Sequence, residues 1–233
     1  MLLVASVERP SVTVSETQAA YGRWARAYDW LCRLLPGLDG LRAGLVAGLE
    51  LSPGDTVVDL GCGTGANLGH LREAVGPTGT VVGVDLTPGM LAEAEQRVER
   101  AGWQNVHLVR GDAARPPAGS VDGVLGTFVV GMLADPGAAV RAWLECLPPG
   151  GRVAVLEAGR TDRRGLRPLN RAFDRLVAAG APGGGGAAPS RVLDERIDAA
   201  RDALAAGSGL AVDDRRVAGF VRVLASEPVV ASP

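Results

Sequence analysis

TVVDLGCGTGANLGHLREA, residues 56–74, joins an apolar run of strand length to an amphipathic segment through three glycines in alternation. Asp59 stands near the carboxyl end of the run, and Gly61, Gly63 and Gly65 follow it. Without a Cβ, a backbone turns sharply and approaches a partner closely. A strand, such a turn and a helix form the unit that lines the crevice beyond the strand ends of open α/β sheets, where ligands bind. The competing reading is a tight strand-to-helix turn with no ligand.

Outward from that stretch, apolar runs alternate with amphipathic ones: TVVGVDL at 80–86, VHLVRGD at 106–112, VDGVLGTFV at 121–129 and RVAVLEA at 152–158. This alternation indicates a parallel sheet with helices between the strands. In LTPGMLAEAEQRVERAG, Thr87 is placed as an N-cap, Pro88 opens the helix and Gly102 ends it. A second helix is expected from Pro136 to Leu147, stopped by Pro148-Pro149-Gly150-Gly151. From 159 to 190 the pattern loosens into a short helical piece, RPLNRAFDRLVAAG, and the glycine-rich APGGGGAAP. A helix at about 191–206 precedes two strand-like runs within 210–226, whose short connection suits an antiparallel hairpin. The segment 16–50 reads as one or two cap helices, with Ala20, Trp24, Ala27, Tyr28 and Leu31 at helical spacing.

Composition narrows the class. At 233 residues, 47% hydrophobic and 21% charged, the chain fits one globular domain with a filled core. Every one of the 24 basic residues is Arg, and the formal net charge of −2 gives no footprint for a polyanion, so no nucleic-acid partner is expected. Cys32, Cys62 and Cys146 lack disulfide or zinc spacing, and no metal is expected. No run approaches the roughly 18 apolar residues of a membrane span. The expected setting is the cytoplasm, with peripheral membrane contact left open. Arg160, Arg163, Arg164 and Arg167 cluster beyond the fifth strand, as a solvated loop or a site for an acidic head group.

Three further positions carry chemistry at strand ends. Asp85 ends the second strand, 20 residues after Gly65, where a carboxylate accepts ribose hydroxyls; alone it also reads as a turn or cap. Asp112-Ala113 closes the third strand, with an acid for an exocyclic amine and a small residue beside a ring, or a locally bonded turn. Thr127-Phe128 ends the fourth strand beside the same crevice, or is a core pair.

VVDLGCGTG, the Asp of VVGVDLTPGML, GDA and LPPGGRVAVLE stand in the order and spacing of the class I S-adenosylmethionine-dependent methyltransferases, which the chain resembles over about 18–158 and the terminal strands. The resemblance implies a Rossmann-like α/β fold: a seven-stranded, mostly parallel sheet with an antiparallel last strand and helices on both faces. It implies S-adenosylmethionine as cofactor, with Gly61, Gly63, Thr64 and Gly65 at the methionine part, Asp85 at the ribose, Asp112 and Ala113 at the adenine and Thr127 near the sulfonium. Asp59 and Leu86, within the same motifs, are taken with them. On this division residues 1–50 form the cap and 51–233 the cofactor domain, with a short insertion at about 159–190.

Tyr21 to Asp29, GPTGTVVGVD, LPPGGRVAVLEAGR and RPLNRAF are similar to the ubiquinone/menaquinone-biosynthesis C-methyltransferases, which suggests a quinol acceptor. FVVGMLAD departs from their Arg-Asn pair after the fourth strand, and bacterial phospholipid N-methyltransferases share the YGRWARAYD-like opening. A small or lipid-like acceptor thus stays open, at carbon, nitrogen or oxygen. Tyr21 and Tyr28 are candidates for covering the cofactor, or for packing the cap helix. His70 and His107 read as structural. Two rival readings are a nicotinamide dehydrogenase, against which Ala66 stands where G-x-G-x-x-G needs its last glycine, and a non-catalytic cofactor-binding module.

Overall fold

The computed structural model describes residues 37–116, 119–180 and 189–231. Tyr21 and Tyr28 lie outside them, as does most of the expected cap. Seven strands form one sheet in the order β3-β2-β1-β4-β5-β7-β6: β1 (Thr56–Leu60), β2 (Thr80–Asp85), β3 (Val106–Arg110), β4 (Gly123–Thr127), β5 (Arg152–Ala158), β6 (Leu210–Arg216) and β7 (Val221–Ser226). Strands β1 to β5 pair in parallel, and β7 runs antiparallel to both β5 and β6. The terminal hairpin therefore folds back to put β7 inside the sheet and β6 at its edge.

Side chains alternate across the sheet because successive Cβ atoms in a strand point to opposite faces. Val57, Val81, Leu125, Ala154 and Leu156 join one buried cluster. It includes residues of α1 (Leu38–Ala47), α2 (Leu68–Val75) and α3 (Pro88–Ala101). Val58, Leu60, Val84, Val124, Val153 and Val155 face the other cluster, with α4 (Pro136–Glu145) and α6 (Pro189–Gly207). The helix α5 (Asn170–Gly180) follows a 3-10 turn at Arg164–Leu169. Among the described residues no helix is long and apolar enough to cross a membrane.

Several boundaries differ from the sequence reading for local reasons. The third strand stops at Arg110 because Asp112 bends the chain, its Oδ1 accepting the Ala114 N–H at 2.9 Å. The fourth stops at Thr127 because Phe128 is left-handed, φ 56°. Helix α4 ends at Glu145, and the N–H groups of Cys146 and Leu147 donate to carbonyls three residues back, tightening the chain before Pro148. Thr87 occupies the N-cap of α3 without a side-chain cap bond; its own N–H instead donates to Asp85 Oδ1 at 2.8 Å.

Trp143 of α4 is fully buried, and its Nε1–H donates to the Ala113 carbonyl at 2.7 Å, tying the turn after β3 to the core. Room for the indole comes from Gly126 of β4, where a Cβ would stand 2.9 Å from the ring. Trp143→Phe keeps an aromatic ring but leaves that buried carbonyl unpaired and a void beside it. Urea denaturation is expected to show a loss of about 2 kcal/mol. A loss below about 0.5 kcal/mol would mean the bond does not hold the turn.

Candidate functional site

The strand-end positions singled out in the sequence all lie at the carboxyl edge of the parallel strands. The strand order reverses between β1 and β4, the place beyond which open α/β sheets bind their ligands. Register fixes the neighbours: Asp59 sits beside Gly83 of β2 and Leu125 of β4, and Leu60 beside Gly126.

The loop after β1 is stitched to the end of β2. Gly61 N–H and Cys62 N–H both donate to the Val84 carbonyl, at 2.8 and 2.9 Å. The glycines serve different ends. At Gly61 (φ 73°) a Cβ would stand 2.5 Å from Val129 Cγ2, so this glycine is demanded by packing. At Gly63 (φ 55°) a Cβ would meet nothing within 4 Å, so its backbone faces open space. Gly63 N–H donates to Asp85 Oδ2 at 3.0 Å, while Asp85 Oδ1 takes the Thr87 N–H. A carboxylate has about four lone-pair positions, so two remain for outside donors.

Asp59 is wholly buried under this loop. Asn67, at the start of α2, donates from Nδ2 to both Asp59 oxygens at 3.2 Å and to Thr127 Oγ1 at 2.9 Å, joining β1, α2 and β4. Burial pushes the Asp59 carboxyl up to about 7, against the pull of the Asn67 bond and the Arg42 charge. Arg42 of α1 is itself buried, its Cζ 5.9 Å from the centre of the Phe128 ring. Neither Asn67 Oδ1 nor Arg42 Nε has a hydrogen-bond partner among the described residues.

The remaining positions are more exposed. Leu86, 46% exposed, follows Asp85 at the rim. Asp112 is exposed and half engaged in its local turn, and Ala113 beside it is buried. Thr64 is buried in the glycine loop. His70 pairs with Asp39 of α1 at 3.0 Å and His107 lies mid-strand in β3, so neither reaches the crevice.

Three residues of this edge escaped the sequence reading: Asn67, Arg42 and Glu157. Glu157, the penultimate residue of β5, is 3% exposed and accepts the Val129 and Val130 N–H groups at 2.6 and 2.7 Å. It thereby holds the turn leaving β4, whose Gly131 carbonyl also accepts from Arg196 of α6 at 2.9 Å. Burial pushes its carboxyl up to about 8, opposed by the bonds from Val130, Val129 and Gly131. An acid inside VAVLEA was a legible signal, since a charge within a buried strand must be satisfied.

Residues 57–151 match the family model described as a methyltransferase domain. Aklanonic acid methyltransferase DauC of Streptomyces sp. (strain C5) is 41% identical over 103 residues, 43% of this chain and 47% of that protein. Demethylmenaquinone methyltransferase of Anoxybacillus flavithermus is 32% identical over 131 residues, 55% of each. The chain thus spans about half the length of these curated relatives. The fold is that of the crystal structure of a SAM-dependent methyltransferase from Aquifex aeolicus: TM-score 0.61 at 19% identity, covering 88% of this chain and 96% of that one.

The two buried acids make stability fall with pH. Both carboxyls titrate higher in the folded state, to about 7 and about 8, than their ordinary values of 3.8 and 4.5. Between those limits the folded chain holds protons that the unfolded chain releases. The stabilisation is therefore complete below about 4 and lost as pH rises through about 8. Thermal melts are expected to show a midpoint declining from pH 5 to pH 9, with a shallower decline in Glu157→Gln, which has no proton to lose. An equal slope in that variant would refute the assignment to Glu157.

Proposed function

We propose that this chain, whose residues 57–151 match a methyltransferase domain, is an S-adenosylmethionine-dependent methyltransferase acting on a small-molecule acceptor. The observation that carries the reading is the Gly63 backbone facing open space beside the strand-end Asp85, with Asp112 at the end of the next strand along, next to the reversal of strand order.

The donor set fits the cofactor. Asp85 has acceptor positions left for ribose hydroxyls, and Asp112 has a second oxygen for an exocyclic amine beside the small Ala113. The backbone of Gly61, Gly63, Thr64 and Gly65, braced from below by the buried Asp59 and Asn67, faces the methionine part, and Thr127 and Leu86 complete the walls. Bound there, S-adenosylmethionine supplies an electrophilic methyl group. The chain's own contribution is alignment and the exclusion of water. Asn67 and Glu157 position that edge, the first by linking Asp59 to Thr127, the second by fixing the turn after β4. In this reading residues 1–50 are the cap, bearing Tyr21 and Tyr28, and 51–233 the cofactor domain with its insertion at about 159–190.

The acceptors named for two relatives, aklanonic acid and demethylmenaquinone, are small organic molecules. A quinol methylated at carbon is the finer proposal; a phospholipid or other amine or hydroxyl, met by peripheral contact with a membrane, is its alternative. A dehydrogenase is disfavoured by Ala66, and a non-catalytic module is separated by an acceptor screen.

Isothermal titration with S-adenosylhomocysteine and with NADH is expected to show binding of the first alone. Asp85→Ala should weaken that binding at least tenfold, since it removes the acceptor that also orders Gly63. Tight binding of NADH alone, or an unchanged affinity in the variant, would overturn the reading.

A further inference from the structure

Beyond β5 the same edge of the sheet carries an open cavity of about 410 Å³, bounded by the loop leaving β5, the starts of α5 and α6, and the end of β6. Its walls are tied together. Thr161 N–H donates to Asn170 Oδ1 and Asn170 Nδ2 to the Thr161 carbonyl, both at 3.0 Å, while Thr161 Oγ1 donates to the Ala218 carbonyl at 2.7 Å. Arg160 N–H donates to Asp194 Oδ1 at 3.0 Å, and Arg215 NH1 to the Arg160 carbonyl at 2.9 Å.

Three guanidinium groups, of Arg160, Arg167 and Arg215, line this frame. Their carboxylate partners are distant. Arg160 Nε lies 3.6 Å from Asp174 and Arg215 Nε 3.6 Å from Asp162, both beyond hydrogen-bond length. Arg167 is exposed and makes no ion pair among the described residues. Asp162 and Asp194 in the lining and Asp174 beside Arg160 balance the three cations in number, and Arg167 alone of the three has no ion pair among the described residues. Arg163 and Arg164, of the same sequence cluster, do not line the cavity.

We propose that this cavity binds a carboxylate carried by the methyl acceptor, an inference that rests on the methyltransferase reading. The planar guanidinium fork matches a carboxylate in a way a point charge does not. A single cation without an ion-pair partner, Arg167, in a cluster balanced overall suits a singly charged oxyanion over a phosphate dianion. Strands β4, β5 and β7 are neighbours, so the cavity lies roughly 10–15 Å from the end of β4, the length of a molecule of two or three fused rings. An acid group held there leaves the rest of such an acceptor lying toward the crevice.

The test titrates the full chain, first with S-adenosylhomocysteine and then with 2-naphthoate, 2-naphthylmethanol or phenyl phosphate, reading arginine Nε–H resonances by NMR. Saturable binding of 2-naphthoate is expected to shift the Arg160, Arg167 and Arg215 signals. The alcohol should bind at least tenfold more weakly, and phenyl phosphate no more tightly. Arg167→Gln, an exposed position, should weaken naphthoate binding about tenfold and leave S-adenosylhomocysteine affinity unchanged. No saturable carboxylate binding, equal binding of the alcohol, tighter binding of the phosphate, or indifference to Arg167→Gln would overturn the proposal. Failure in the first step would overturn the methyltransferase reading instead.

Discussion

The backbone of Gly61 runs so close to Val129 that no side chain fits between them, and the candidate site depends on that contact. It lets the loop after β1 lie against the turn after β4, so that two elements far apart in the chain form the floor of one crevice. Val129 is held in turn by Glu157, whose carboxylate accepts its N–H and that of Val130. Arg196 of α6 anchors the next residue of the same turn. A side chain at position 61 would displace Val129 and, through it, a bond network that reaches from β1 to α6.

This edge is rich in polar groups that are buried yet bonded. Asp59, Asn67 and Thr127 share one amide, and Asp85 binds two backbone N–H groups of different loops. Such groups are costly to leave unpaired, so once satisfied they lock the relative positions of the strands that bear them. Asn67 Oδ1 and Arg42 Nε, which have no partner among the described residues, stand out for that reason. They lie near the acids that the sequence marked for cofactor contact.

The parallel strands, the helices between them and the terminal hairpin were legible because each leaves a local trace. Burial on both faces gives continuous apolar runs such as TVVDL, and caps such as Gly102 and stops such as Pro148 mark the ends. The strand-end acids were legible because a carboxylate after an apolar run is locally odd. Asn67 and Arg42 were not: each lies in an ordinary amphipathic helix, and its role comes from what it touches across the fold. Likewise the short ends of β3 and β4 followed from a single side-chain bond and a single left-handed residue.

The chain's local order alone determined the class of fold, the position of the glycine turn and which strand ends carry acids, since periodicity and backbone freedom are properties of neighbouring residues. Tertiary structure alone decided that β7 enters between β5 and β6, that Glu157 braces the turn after β4, and that Arg160, Arg167 and Arg215 surround one cavity. Those outcomes depend on strand pairing and long-range burial. Residues separated by more than fifty positions, such as Arg160 and Arg215, meet only when the sheet has closed its register.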